Sequence, residues 1–247
     1  MHDPIQKWSD EPGSSQQNRT SSRWHCALPA SVRAKVWDGP TRLFHWLLVI
    51  LLAISWWSHP MHMDWHRDSG LAILALIIFR CIWGFAGATT ARFKHFLRGP
   101  EAIARYLGQL WNRDPVKHVG HNPLGGWSVA LMLAGLSTQV VSGLFSVDID
   151  GLESGPLSDR VDFETGRWFA VVHGLSFTFL EILIGTHLCA VSFYLLYKRT
   201  NLVTPMVSGW SRLPAHPNVH FARPVVAAAA AVFASACAWW VSTGLRW

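Results

Sequence analysis

The chain has 247 residues, of which half are hydrophobic and fifteen are tryptophan, with a formal net charge of +6. Charged residues make up 15% and are gathered into blocks that leave long uncharged stretches, which argues against a soluble domain and against a nucleic-acid binder with one basic surface. Cys26, Cys81, Cys189 and Cys237 form neither a CxxC pair nor a CxxCH motif, so neither a disulfide framework nor covalent haem attachment is supported.

Five predominantly apolar stretches, about 41–58, 69–87, 125–146, 168–197 and 224–243, approach the ~20 residues that a hydrocarbon core requires. Backbone polar groups must be satisfied within each segment in lipid, so these are expected to be helices. The fold class is therefore an all-α integral membrane protein: a four-helix transmembrane bundle over 41–200 with an appended fifth transmembrane helix at 224–243. Residues 1–40 are polar, contain the run SSQQNRTSSR and lack the apolar core of a secretory signal, and read as a disordered tail. Seventeen of the twenty-one Lys and Arg residues precede helix one or fall between helices two and three or four and five. The other side has Arg67, Arg160, Arg167 and Arg246 and an acidic loop containing Asp148, Asp150, Glu153, Asp159, Asp162 and Glu164. By the excess of basic residues on the inner side, the expected location is a bacterial inner membrane, with the N-terminus cytoplasmic and the C-terminus periplasmic.

Helix one follows the turn Asp38-Gly39-Pro40 and places His45 about one turn inside the cytoplasmic end. Trp56 and Trp57 mark the opposite interface. The external loop brings His59 and His62, which read as solvated, and His66 at the start of helix two, fourteen residues before Arg80. Fourteen helical steps return to within about 40° of the starting direction, so His66 and Arg80 share a face. Arg80 either pairs with a propionate of a cytoplasmic-side haem or snorkels to the interface. Residues 88–124 form a cytoplasmic loop in which GPEAIARYLGQLWN reads as a short surface helix. His118 and His121 in this loop read as solvated in preference to meeting a quinone headgroup. Helix three lacks histidine but carries Gly135, Ser137, Thr138, Gln139, Ser142 and Gly143, which suit either close helix packing or a flat macrocycle.

Helix four contains HGLSFTFLEILIGTH, with His173 and His187 fourteen residues apart. Both imidazoles leave one face, separated by roughly 21 Å along the axis. The helix runs from outside to inside, so His173 shares a level with His66, and His187 with His45. Four histidines thus fall into two pairs by depth, and two neutral imidazoles are what a six-coordinate haem iron needs. Glu181, the one charge well inside this helix, either takes part in proton movement or accepts a hydrogen bond from a neighbouring helix, and the structural reading is placed first. The alanine-rich fifth helix packs either within the monomer or between two copies as a homodimer.

Over residues 35–207, the signatures VWDGPTRLFHW, HRDSGLAILALIIFR, GHNPLGGW and HGLSFTFLEILIGTHLCAVSFYLLYKRTNLVTPM resemble the bacterial two-haem cytochrome b561 family and the related b-type cytochrome subunits of nickel-iron hydrogenases. The resemblance implies two non-covalent b haems with bis-histidine ligation, His45 with His187 and His66 with His173. The expected function is electron transfer between the quinone pool and a periplasmic partner, a c-type cytochrome or a dehydrogenase. A membrane subunit of a periplasmic dehydrogenase or hydrogenase is the second reading. A metal transporter or sensor is the third, disfavoured because ~21 Å between His173 and His187 precludes one shared site.

Overall fold

The computed structural model describes residues 32–59, 61–112, 119–150 and 153–246. The readings made for Cys26, His118 and most of the polar tail fall outside those residues. Five helices are long and apolar enough to cross a membrane: α1 (Gly39–Ser58), α2 (Met63–Ala86), α5 (Pro123–Phe145), α6 (Phe163–Leu196) and α8 (Pro224–Ser242). The protein is a multi-pass membrane helix bundle. Short helices α3 (Phe93–Phe96), α4 (Pro100–Gly108) and α7 (Val203–Ser208) lie between them, with strands β1 (Val32–Lys35) and β2 (Trp210–Leu213).

Local chemistry sets the starts of the long helices. Asp38 is the N-cap of α1, its Oδ1 accepting from Thr41 N at 2.9 Å, with Pro40 in the first turn. Asn122 caps α5 in the same way through Gly125 N, at 2.6 Å, again followed by proline. Asp162 caps α6, accepting from both Thr165 N and Thr165 Oγ1, and these bonds hold its carboxyl below the usual range. Helix α2 begins at Met63, six residues before the apolar stretch, because Asp64, Arg67 and Asp68 are compatible with helix although not with hydrocarbon.

Two ends of the bundle are chemically distinct. At one end β1 and β2 pair antiparallel, Arg33 opposite Arg212 and Lys35 opposite Trp210. This ribbon is tied to the start of α1: Val36 N and Trp37 N donate to Gly209 O, Arg42 Nη1 donates to Val207 O, and Trp46 Nε1 donates to Met206 O. Gly209 has φ 86°, and a Cβ there would stand 3.0 Å from Trp37 O, so the turn into β2 requires glycine. At the opposite, acidic end, Arg67 pairs with Asp64 and Glu153, and Arg246 with Asp159.

Helix α2 is the hub. Its Phe79 and Trp83 cluster with Phe44 of α1 and with Ala230 and Ala234 of α8, while Ile73 and Ile77 meet Leu136 and Val140 of α5 and Leu180 of α6. Ala230, Ala234 and Ala238 recur every fourth residue and are buried, so α8 lies close against α2 within one copy of the chain. Helix α6 behaves differently. It packs extensively only against α5, and although it is the longest of the five spans, it is the least buried. Among the described residues it approaches α2 through Leu180, which meets Ile73 and Ile77, and through His173, whose ring lies beside that of His66.

Candidate functional site

The four histidines singled out above lie on α1, α2 and α6. Near the acidic end, the rings of His66 (α2) and His173 (α6) have centroids 6.0 Å apart and planes inclined by 79°. Each Nδ1 is held by a backbone carbonyl, His66 by Ser55 O at 2.9 Å and His173 by Gln139 O at 2.8 Å. Nδ1–H donation to a carbonyl fixes the ring and leaves Nε2 as the basic nitrogen, the second contact that metal-binding histidines usually make. Gln139 also places its Nε2 3.0 Å from Nε2 of His173, and its Oε1 accepts from Ser176 Oγ. A ligand on His173 Nε2 must therefore displace the Gln139 carboxamide. Gly143 lies under this ring, where a Cβ would come within 2.8 Å of Cε1.

Near the ribbon end, His45 (α1) and His187 (α6) are within electrostatic reach of one another. His45 is edge-on to Trp46, with centroids 5.0 Å apart, and its Nδ1 is buried without a partner. Arg80 is 3% exposed, so it does not snorkel. Its guanidinium lies 5.1 Å from the Phe93 ring and 5.8 Å from the Phe96 ring, and its Nη1 is buried and unpartnered. Asp38 is the nearby carboxylate, but its Oδ1 caps α1 and its Oδ2 accepts from Trp83 Nε1 at 2.9 Å.

Two readings from the sequence require correction. His121 is not solvated: its ring sits between Trp37, at 4.8 Å, and Phe96, at 4.9 Å, with Nδ1 buried and unpartnered. Burial, with Arg80 and His187 as further causes, pushes it down to about 4, so it is neutral near pH 7. Glu181, read as a hydrogen-bond acceptor from a neighbouring helix, is exposed and makes no hydrogen bond among the described residues. His59 is exposed as expected, though its ring lies 5.2 Å from that of His66, and His62 sits between Trp57 and Trp65. Gly135, against Leu180 and Phe179, serves close packing of α5 on α6. Gln139, Ser142 and Ser55 were missed as partners of the histidines. A glutamine inside an otherwise apolar helix was the available signal.

Residues 36–209 match the family model for prokaryotic cytochrome b561. The chain belongs to that family. It is a membrane b-type cytochrome. Among curated relatives, a probable Ni/Fe-hydrogenase B-type cytochrome subunit from Azotobacter chroococcum mcd 1 is 24% identical over 211 residues, covering 71% of this chain and 87% of the relative. A protein of the same description from Azotobacter vinelandii is 23% identical with the same coverage. No solved structure matches.

Membership implies haem b, and the residues present fit it. Two imidazoles on one iron, each at a ~2 Å metal–nitrogen distance, put ring centroids roughly 6 Å apart, as for His66 and His173. The buried, unpartnered atoms of His45 and Arg80 fit a group with acidic substituents. Gly143→Ala tests the packing under His173. Its Cβ must push the ring off Gln139 O, and overpacking of this kind costs ~1–3 kcal/mol. The expected result is a lower melting temperature in detergent and a changed low-spin haem spectrum; unchanged values of both contradict the assignment of Gly143 as a spacer.

Proposed function

We propose that the chain is the electron-carrying membrane subunit of a redox complex, with two b haems stacked across the bilayer. His66 and His173 ligate one at the acidic end, and His45 and His187 the other at the ribbon end. The observation that carries this reading is the pair of Nδ1–carbonyl bonds on His66 and His173, whose rings already stand at the spacing for one iron. The haem iron supplies a one-electron Fe(III)/Fe(II) couple when bound. The protein's part would be to hold the group through His66 and His173 at one end and His45 and His187 at the other, with Ser55 and Gln139 fixing the orientation of the first two rings. Arg80 pairs with a propionate of the ribbon-end haem, since its buried Nη1 needs an acceptor and a guanidinium suits a carboxylate.

The ribbon end is assigned to the cytoplasm, because Arg33, Lys35, Arg212, Lys198 and Arg199 gather there. The acidic end is then periplasmic, and electrons cross between a partner docked there and the quinone pool. The relatives' description as hydrogenase cytochrome subunits favours a hydrogenase-like or other dehydrogenase partner over a freely diffusing c-type cytochrome. The test is a visible spectrum of purified protein before and after dithionite, with a pyridine haemochrome count. Two b haems per chain are expected. Absence of b-type absorbance from haem-replete cells overturns the reading, and one haem per chain removes one of the two ligand pairs. Affinity purification from native membranes distinguishes the partners: a stoichiometric catalytic subunit is expected, and its absence returns the diffusing carrier to first place.

A further inference from the structure

His121 has no part in the assignments above, yet it is placed where a cofactor is expected. Its ring packs on Phe96, which also lies under Arg80, so one aromatic side chain carries both residues. Arg80 and His187 are both within electrostatic reach of it. His121 Nδ1 and Arg80 Nη1 are each buried without a hydrogen-bond partner, and leaving such a group unsatisfied is costly because its desolvation goes unrepaid. Asp38, the carboxylate near Arg80, accepts from Thr41 N and Trp83 Nε1 and is not a hydrogen-bond partner of either atom. The His121 ring also helps to line a cavity of about 550 Å³ shared with Thr90, His95, Phe96 and Arg98. The residue therefore lies between that cavity and the neighbourhood of Arg80 and His187, with a buried, unpartnered nitrogen.

We propose that His121 is a second contact for the anionic edge of the ribbon-end haem, donating from Nδ1 to a propionate oxygen while Arg80 supplies the charge. This rests on the reading of His45 and His187 as ligands of a haem at that end. An imidazole N–H and a guanidinium make a two-donor cradle for a carboxylate, and neither donor is borrowed from a helix or another side chain. Two unpartnered donors around one space fit an acceptor with two oxygens better than a single water, which would leave the guanidinium charge uncompensated. A quinone carbonyl presents one acceptor and no charge, so it matches His121 alone.

The test uses the full-length, haem-loaded protein with His121→Phe, which keeps the packing on Trp37 and Phe96 but removes the donor, and His121→Asn, which restores one. For each, the rate of haem transfer to excess apomyoglobin, the two midpoint potentials and the propionate bending band in the resonance Raman spectrum are recorded. His121→Phe is expected to release the ribbon-end haem roughly tenfold faster, the factor carried by 1.4 kcal/mol. Its potential should fall and the propionate band should shift, while the acidic-end haem keeps its wild-type values; His121→Asn should recover most of each change. An unmoved propionate band and wild-type release rate in His121→Phe overturn the proposal. So do equal changes at both haems, the signature of a loosened bundle, or a perturbation seen only when quinone is added, which assigns His121 to quinone instead. If His121→Phe does not accumulate, His121→Asn decides: a wild-type release rate and propionate band support the donor role, and a fast-releasing ribbon-end haem contradicts it. Failure of the underlying reading looks different, because wild-type protein would then carry no haem dependent on His45 and His187.

Discussion

Replacing His173 with alanine is expected to halve the haem content, from two per chain to one, with the remaining haem keeping its own potential and low-spin spectrum. His173 and His66 stand on separate helices, and their rings lie 6.0 Å apart. On the proposed pairing, removing one imidazole would leave a single ligand, too little to hold a haem against detergent. His187 lies fourteen residues further along the same helix, roughly 21 Å away. It is within electrostatic reach of His45 instead. His66→Ala should give the same surviving haem, whereas His45→Ala and His187→Ala should give the other. Pyridine haemochrome counts with a redox titration of each variant check this. Loss of both haems in all four variants would mean that the bundle collapses as a unit, and random losses would break the pairing.

The proposed pairing draws on three independent regularities in the sequence: the fourteen-residue spacing on helix four, the segregation of basic residues, and the position of His45 and His66 near opposite ends of their helices. The atoms that hold the rings were not legible. Ser55 O and Gln139 O are backbone carbonyls, which every residue has, so no residue type announces them. His121 was misread for a related reason. Its neighbours in GHNPLGGW are polar or small, which suggests a solvated loop, but Trp37 and Phe96 cover it from distant parts of the chain. Likewise, hydropathy marked the part of α2 that suits hydrocarbon and not the extra turn and a half of helix before it. The packing role of the fifth helix was visible in its alanines, whereas its partner, α2, depends on tertiary contacts alone.

Asp38→Ala is expected to be among the most destabilising single substitutions near the ribbon end. The carboxylate is buried and its two oxygens serve two elements, Oδ1 capping α1 and Oδ2 holding the indole of Trp83, which is itself 1% exposed. Losing the cap costs ~1 kcal/mol, and leaving the buried indole N–H without an acceptor costs ~1–3 more, about 2–4 kcal/mol together. Asp38 also lies close enough to Arg80 to favour its charge, so the variant leaves that guanidinium less compensated. Removing the indole as well separates these contributions. In Asp38→Ala/Trp83→Phe the orphaned donor is gone, so the double variant should be more stable than the sum of the single losses predicts, by ~0.5–3 kcal/mol of coupling. Thermal melts of the four proteins in detergent measure the coupling. The haem spectra add a second reading: Arg80 and His45 share the ribbon end with Asp38, so the haem there should be lost first on heating. Additive losses would instead mean that the Asp38–Trp83 bond contributes nothing beyond the cap.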